Sequence, residues 1–156
     1  MESEQKGFSL IELLIVVAII LIIAAIAIPN LLRSRMAANE ASAVGSLRTI
    51  NTACVTYSTT YGIGFPSTLA ALGTSGAVSS TSAQLIDNVL GGGAKSGYTF
   101  TYVAGAAAGG VIPTYTVNAA PITPGQTGQR YFFTDQSGVI RFNVSATASV
   151  SDSPLQ

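Results

Sequence analysis

Few side chains in this 156-residue chain are equipped for chemistry, and one of them stands in an unexpected place. Glu12 lies in the stretch KGFSLIELLIVVAIILIIAAIAIPNLL, residues 6–32, and is the only charge from Phe8 to Leu32. A carboxylate at the centre of a membrane helix costs about 2.5 to 3.5 kcal/mol on the insertion scale. Something must offset that cost, and its nature bears on what the chain does. The other chemical groups are sparse. There is no histidine, which removes the commonest general base, the Ser-His and Cys-His nucleophile pairs and imidazole metal sites. The single cysteine, Cys54, has no partner for a disulfide within its own chain. No nucleophile signature or cluster of metal ligands stands out, so the composition argues against an enzyme.

Other candidate sites are short. Gly91, Gly92 and Gly93 form a GGG run that reads as a stop and a joint, since no strand precedes it and no Lys-Ser pair follows. Asp135, Gln136, Ser137 and Asp152 supply oxygens, but two carboxylates are few for a calcium site of six to eight ligands. Turn and surface roles suit them better, and no cofactor is expected. Asn143, Val144 and Ser145 match the N-glycosylation pattern. The tail SATASVSDSP, residues 145–154, is expected to be frayed, modification being the alternative. Net charge is zero and charged residues make up 9% of the chain, with five scattered arginines and no basic patch, so nucleic acid is not an expected partner.

The elements that must position these groups begin with the apolar run. Its 25 residues, 8–32, span about 37 Å as a helix, enough for a bilayer's hydrocarbon core. A buried core helix is disfavoured, because so short a chain has too little other apolar mass to cover it all round. A cleaved secretory signal, for which AAIAIPN loosely supplies a cleavage site, has a shorter apolar region. A retained transmembrane helix fits the length best. The positive-inside rule does not favour the N-terminus inside and is ambiguous or slightly contrary to it, since one lysine and the terminal amine precede the run and Arg33 and Arg35 follow it.

Pro29 either bends or locally opens this helix, or ends it. Continuation is favoured, because Val44, Leu47, Ile50, Cys54, Tyr57 and Tyr61 then follow three-and-four spacing along one face. The expected helix runs from Phe8 to near Tyr61, about 75 to 80 Å long. Its stripe reads as core, with Cys54 a small buried apolar residue; an exposed thiol joining subunits is the second reading. Beyond Tyr61 the chain turns rich in Gly, Ser, Thr and Ala, with a short helix expected over SAQLIDNVL, residues 82–90. Strands are expected at YTFTYV (98–103), TYTVN (114–118) and on both sides of DQSG within RYFFTDQSGVIRFNV (130–144). Four strands in an antiparallel meander would pack one face on the striped helix.

The segment KGFSLIELLIVVAIILIIAAIAIP resembles the N-terminal segment of type IV pilins and of the pseudopilins of type II secretion. More loosely, YFFTDQSGVIRFN resembles the C-terminal hairpin of such proteins. The resemblance implies an α+β fold in which a long N-terminal helix, its apolar half protruding, packs on a small antiparallel sheet. It implies a leader of residues 1–7, a filament-core helix half at 8–32, an amphipathic half at 33–61 and a globular head at 62–156. A prepilin peptidase would cut between Gly7 and Phe8 and methylate the new amine of Phe8, with Glu12 as the motif glutamate. That amine stays positive when methylated. Glu12 of one subunit could then pair with the amine of its neighbour, and a register that buried it unpaired would be rejected at about 3 to 5 kcal/mol. The alternative is that Glu12 neutralises its own amine or the positive end of its own helix, and both can hold at different stages. Phe8, Glu12 and Pro29 are the expected subunit contacts.

In the resembled family the segment before this proline can lose helicity in the filament, aided by a glycine that this chain lacks. Many members close the C-terminal loop with a disulfide; this chain must use packing and hydrogen bonds instead. The implied function is a structural subunit of an extracellular pilus filament, inserted in the inner membrane before assembly. Its implied partners are identical subunits, the prepilin peptidase and the pilus assembly machinery. The alternatives are a major pseudopilin, which often binds calcium, and a membrane-anchored protein whose head binds a ligand. Six Tyr and six Phe are an ordinary complement, so the count gives no support to conduction along the fibre.

Overall fold

The computed structural model describes residues 7–155, and the expected leader residues 1–6 lie outside the described part. Helix α1 runs Leu10–Tyr61, 52 residues with Pro29 inside it. The helix neither ends nor opens at Pro29. Proline removes one N–H and costs about 3 kcal/mol in a helix interior, but the helical residues on both sides carry the backbone through. The chain divides into two compact units between Arg35 and Met36. In the first, every residue from Phe8 to Leu32 except Ala24 is exposed.

The second unit has its own core. The expected helix stripe supplies Val44, Leu47, Ile50, Cys54 and Tyr57, all buried, with Tyr61 packed partly against them. Opposite lies one face of a six-stranded sheet: β1 (Ala94–Lys95), β2 (Tyr98–Ala104), β3 (Tyr115–Pro121), β4 (Tyr131–Asp135), β5 (Arg141–Asn143) and β6 (Ser153–Pro154). Strand order follows chain order and every neighbouring pair is antiparallel, so the meander is as expected. The four expected strands are β2 to β5. The two extra ones are two-residue edges, too short to show an alternating pattern.

Tyr98, Phe100, Tyr115, Val117, Ala119 and Phe132 alternate onto the core face, as a period-two pattern requires. Tyr102 stacks on Tyr115 with ring centres 5.6 Å apart, and Phe65 meets Tyr115 edge-on at 4.7 Å. Helix and sheet are also joined by hydrogen bonds, which orient the helix where apolar packing alone is non-directional. The Asn51 amide donates to the Thr134 hydroxyl at 2.9 Å and its carbonyl accepts from the Tyr115 hydroxyl at 2.9 Å.

The connecting segment departs from expectation. A 3-10 helix, Leu69–Leu72, precedes it, and α2 is only Asn88–Gly91 rather than 82–90. Asp87 is the N-cap, its carboxylate accepting the Leu90 N–H at 2.9 Å, a role that suits an aspartate better than a helix interior does. Before it, Ala83 and Leu85 give their N–H groups to the Ala71 and Leu72 carbonyls at 2.8 Å, and Gln84 between them stands at φ +58°, outside the right-handed helical region. Gly92 caps the C-terminus of α2 and Gly93 turns at φ +80°, so the GGG run is the expected stop.

The tail is ordered, contrary to the fraying expected of it. The Asp152 carboxylate accepts from the Ser149 N–H at 2.7 Å and from the Asn143 amide at 2.9 Å. Ala148 is buried, β6 pairs with β5, and the Leu155 N–H reaches the Ile140 carbonyl at 2.7 Å. These contacts hold the C-terminal loop without a disulfide.

Candidate functional site

The start of α1 brings together the residues singled out by sequence. The Ser9 carbonyl accepts the Leu13 N–H at 3.3 Å, making Ser9 the residue that opens the helix. Glu12 is three residues on, and its carboxylate accepts the Ser9 N–H at 3.0 Å. This is the return arm of a capping box, S-x-x-E, in which the third helical residue satisfies a backbone donor left over at the helix start. The carboxylate therefore sits on the positive end of the helix and is not bare. The signal was present in the sequence as Ser9 and Glu12 but is easily overlooked, because the apolar run around it dominates the reading.

Phe8 is 84% exposed, and the long aliphatic side chains that follow, Leu10 to Leu32, are each at least 40% exposed. Apolar residues cover the helix on all sides, so no polar face is available to water. A Cβ built on Gly7 meets no other atom, and Gly7 has no positive φ. Nothing in the described fold requires glycine there. Pro29, the third expected contact, lies 17 residues after Glu12 within the same exposed helix.

The remaining candidates fall to structural roles. Asp135 accepts the Ser137 N–H at 2.9 Å and its carbonyl takes the Gly138 N–H at 2.9 Å, with Gly138 at φ +75°. The DQSG sequence is therefore the β4–β5 turn, as expected. Asp152 is committed to Ser149 and Asn143, and these hydrogen bonds hold its carboxyl below the usual range. Among the described residues no three His, Cys, Asp or Glu side chains converge. The Asn143 amide nitrogen is bonded to Asp152, and its oxygen accepts from the Ser145 and Ala146 N–H groups at 3.0 and 3.2 Å. A side chain so engaged is a poor sugar acceptor.

Cys54 is fully buried, and burial pushes its thiol up to about 12 against the lowering effect of the Tyr102 and Tyr115 hydroxyls. It is core, not a link between subunits. One site went unnoticed in the sequence. Glu40, 8% exposed, accepts the Gln129 and Arg130 N–H groups at 2.9 and 3.1 Å and the Arg130 Nε at 2.7 Å. Burial raises its pKa, but these hydrogen bonds and the guanidinium charge outweigh burial and hold it below the ordinary 4.5. The Arg130 guanidinium also lies over the Phe132 and Phe142 rings, at 5.4 and 5.7 Å.

The profile of the prokaryotic N-terminal methylation motif matches residues 3–28. The type IV wide pilus major component PilA4 of Thermus thermophilus is 69% identical over 35 residues, 22% of this chain and 27% of that protein. The type IV major fimbrial protein FimA of Dichelobacter nodosus is 52% identical over 58 residues, 35% of this chain and 37% of that protein. The chain thus spans about a quarter to a third of the length of these relatives. No solved structure matches.

Proposed function

We propose that this chain, which carries the prepilin-type N-terminal methylation segment, is the structural subunit of a type IV pilus. It is made as an inner-membrane precursor, cut between Gly7 and Phe8 by a prepilin peptidase, methylated on the new amine, and polymerised by the pilus assembly machinery into a surface filament. The observation that carries this reading is the placement of the motif. Gly7, Phe8 and Glu12 stand in register at the start of a helix whose apolar side chains are exposed all round.

The chemistry of assembly follows from that surface. Moving these side chains from lipid into a bundle of helices gains packing rather than hydrophobic transfer, because lipid is already apolar. Where the helix passes through water, each fully buried Leu or Ile is worth about 1.5 to 3 kcal/mol. Glu12 supplies register. In the lone subunit it is held by the Ser9 N–H; in the fibre it exchanges that bond for the charged amine of a neighbour's Phe8. The role is structural, and the relatives are themselves named as pilus and fimbrial components.

The test is the mass of the mature N-terminus together with electron microscopy of the cell surface. The expected result is a chain that begins with methylated Phe8 and forms long fibres, which Glu12→Ala abolishes without preventing membrane insertion. A mature chain that retains Met1, or fibres that grow normally from the Glu12→Ala chain, would overturn the reading.

A further inference from the structure

The two ends of the apolar segment carry charges of opposite sign at a spacing that matters. From Leu13 to Leu32 there are 20 uncharged residues, which rise about 30 Å along a helix. That is the thickness of a bilayer's hydrocarbon core. Glu12 precedes this run directly, and Arg33 and Arg35 follow it. Both arginines are exposed. Among the described residues the ion pairs are Lys95 with Asp87 and Arg130 with Glu40, so neither arginine has an acidic partner. The intervening Ser34 hydroxyl is turned back onto the Asn30 carbonyl at 3.0 Å.

Residues two apart on a helix leave it about 200° apart. Arg33 and Arg35 therefore flank opposite sides of α1 just beyond the apolar run. A pair on one side would fix the rotation of the helix; a pair on opposite sides fixes its depth instead. Guanidinium groups present planar forks of N–H donors suited to phosphate oxygens. Long cationic side chains at a span's end also reach the headgroup level without dragging charge into the hydrocarbon.

We infer that Arg33 and Arg35 form a collar that binds the phosphates of anionic lipids at one boundary of the bilayer, while Glu12 lies at the other. The inference rests on the reading of this segment as a membrane span in the precursor. It places Glu12 at the hydrocarbon boundary, where a carboxylate is far less costly than at the centre. It also makes release of lipid phosphate a step in drawing the subunit out of the membrane.

The chain contains no tryptophan, so single tryptophans introduced as Ile22→Trp and Leu31→Trp report depth and lipid contact cleanly. The full chain is reconstituted in vesicles of equal parts phosphatidylcholine and phosphatidylglycerol, with one or the other lipid brominated in its acyl chains. The expected result for Leu31→Trp is a preference for phosphatidylglycerol of about fivefold or more. That preference falls to parity when Arg33→Gln and Arg35→Gln are added, and is partly kept with Arg33→Lys and Arg35→Lys. Equal preference in the arginine and glutamine chains overturns the collar. Loss of preference on adding inorganic phosphate at constant ionic strength also overturns it, since the arginines would then be taking a free anion. If Ile22→Trp is quenched by neither lipid, the spanning reading itself fails; if it is quenched and no lipid preference appears, only the collar fails.

Discussion

Glu40 and Cys54 show how burial sets the behaviour of single groups. Three donors from Gln129 and Arg130, just before β4, depend on the Glu40 carboxylate being charged. Because its folded pKa lies below the ordinary 4.5, this contribution is complete above that value and is lost as pH falls through the lower folded value. Thermal melts of the full chain in detergent should therefore show stability declining below about pH 4.5. Glu40→Gln should make that decline shallower and cost about 1 to 3 kcal/mol at neutral pH, since a charged partner is left unsatisfied. Cys54 should resist disulfide-exchange reagents at pH 8 in the folded chain and react fully once unfolded, because both access and thiolate are missing in the core. Rapid native labelling would show that the core around it opens.

At the scale of elements, the sheet owes its register to close contacts that few substitutions tolerate. The Tyr98 hydroxyl donates to the Arg130 carbonyl at 2.8 Å, and a Cβ on Gly128 would run into that same hydroxyl and its ring. Gly128→Ala should destabilise the protein by about 1 to 3 kcal/mol. Combined with Tyr98→Phe, the cost should be less than the sum of the two, because the clash and the hydrogen bond share one oxygen. The C-terminal loop is a separable element. Asp152→Ala should abolish hydrogen-exchange protection over residues 144–155 while β2, β3 and β4 stay protected. Protection that persists in the loop would assign its order to Ala148 and β6 instead.

At the scale of the whole molecule, the unit that begins at Met36 has a complete core of its own. A chain starting at Met36 should fold, stay soluble and remain monomeric, as measured by circular dichroism and light scattering. The full chain should need detergent or lipid. Fibres formed by the truncated chain would show that the apolar segment is not what joins subunits, and would remove the basis for the proposed filament.

The sequence alone determined the N-terminal segment, because everything that defines it is local. Gly7, Phe8 and Glu12 lie within six residues of one another, and an apolar run of this length can be read without the rest of the chain; the Ser9 arm of the capping box emerged only with the structure. The stripe from Val44 to Tyr61 and strands β2 to β5 were legible for a similar reason: helical and pleated periods are imposed by the backbone itself. Only the tertiary structure decided what depends on partners remote in sequence. Residues 83–85 leave the helical path, with Gln84 at φ +58°, where the segment at 71–73 offers carbonyls to their N–H groups. The tail is ordered because Asp152 meets Asn143, and Glu40 finds its donors about 90 residues away. Such pairings leave no periodic trace, since what fixes them is the proximity that folding creates.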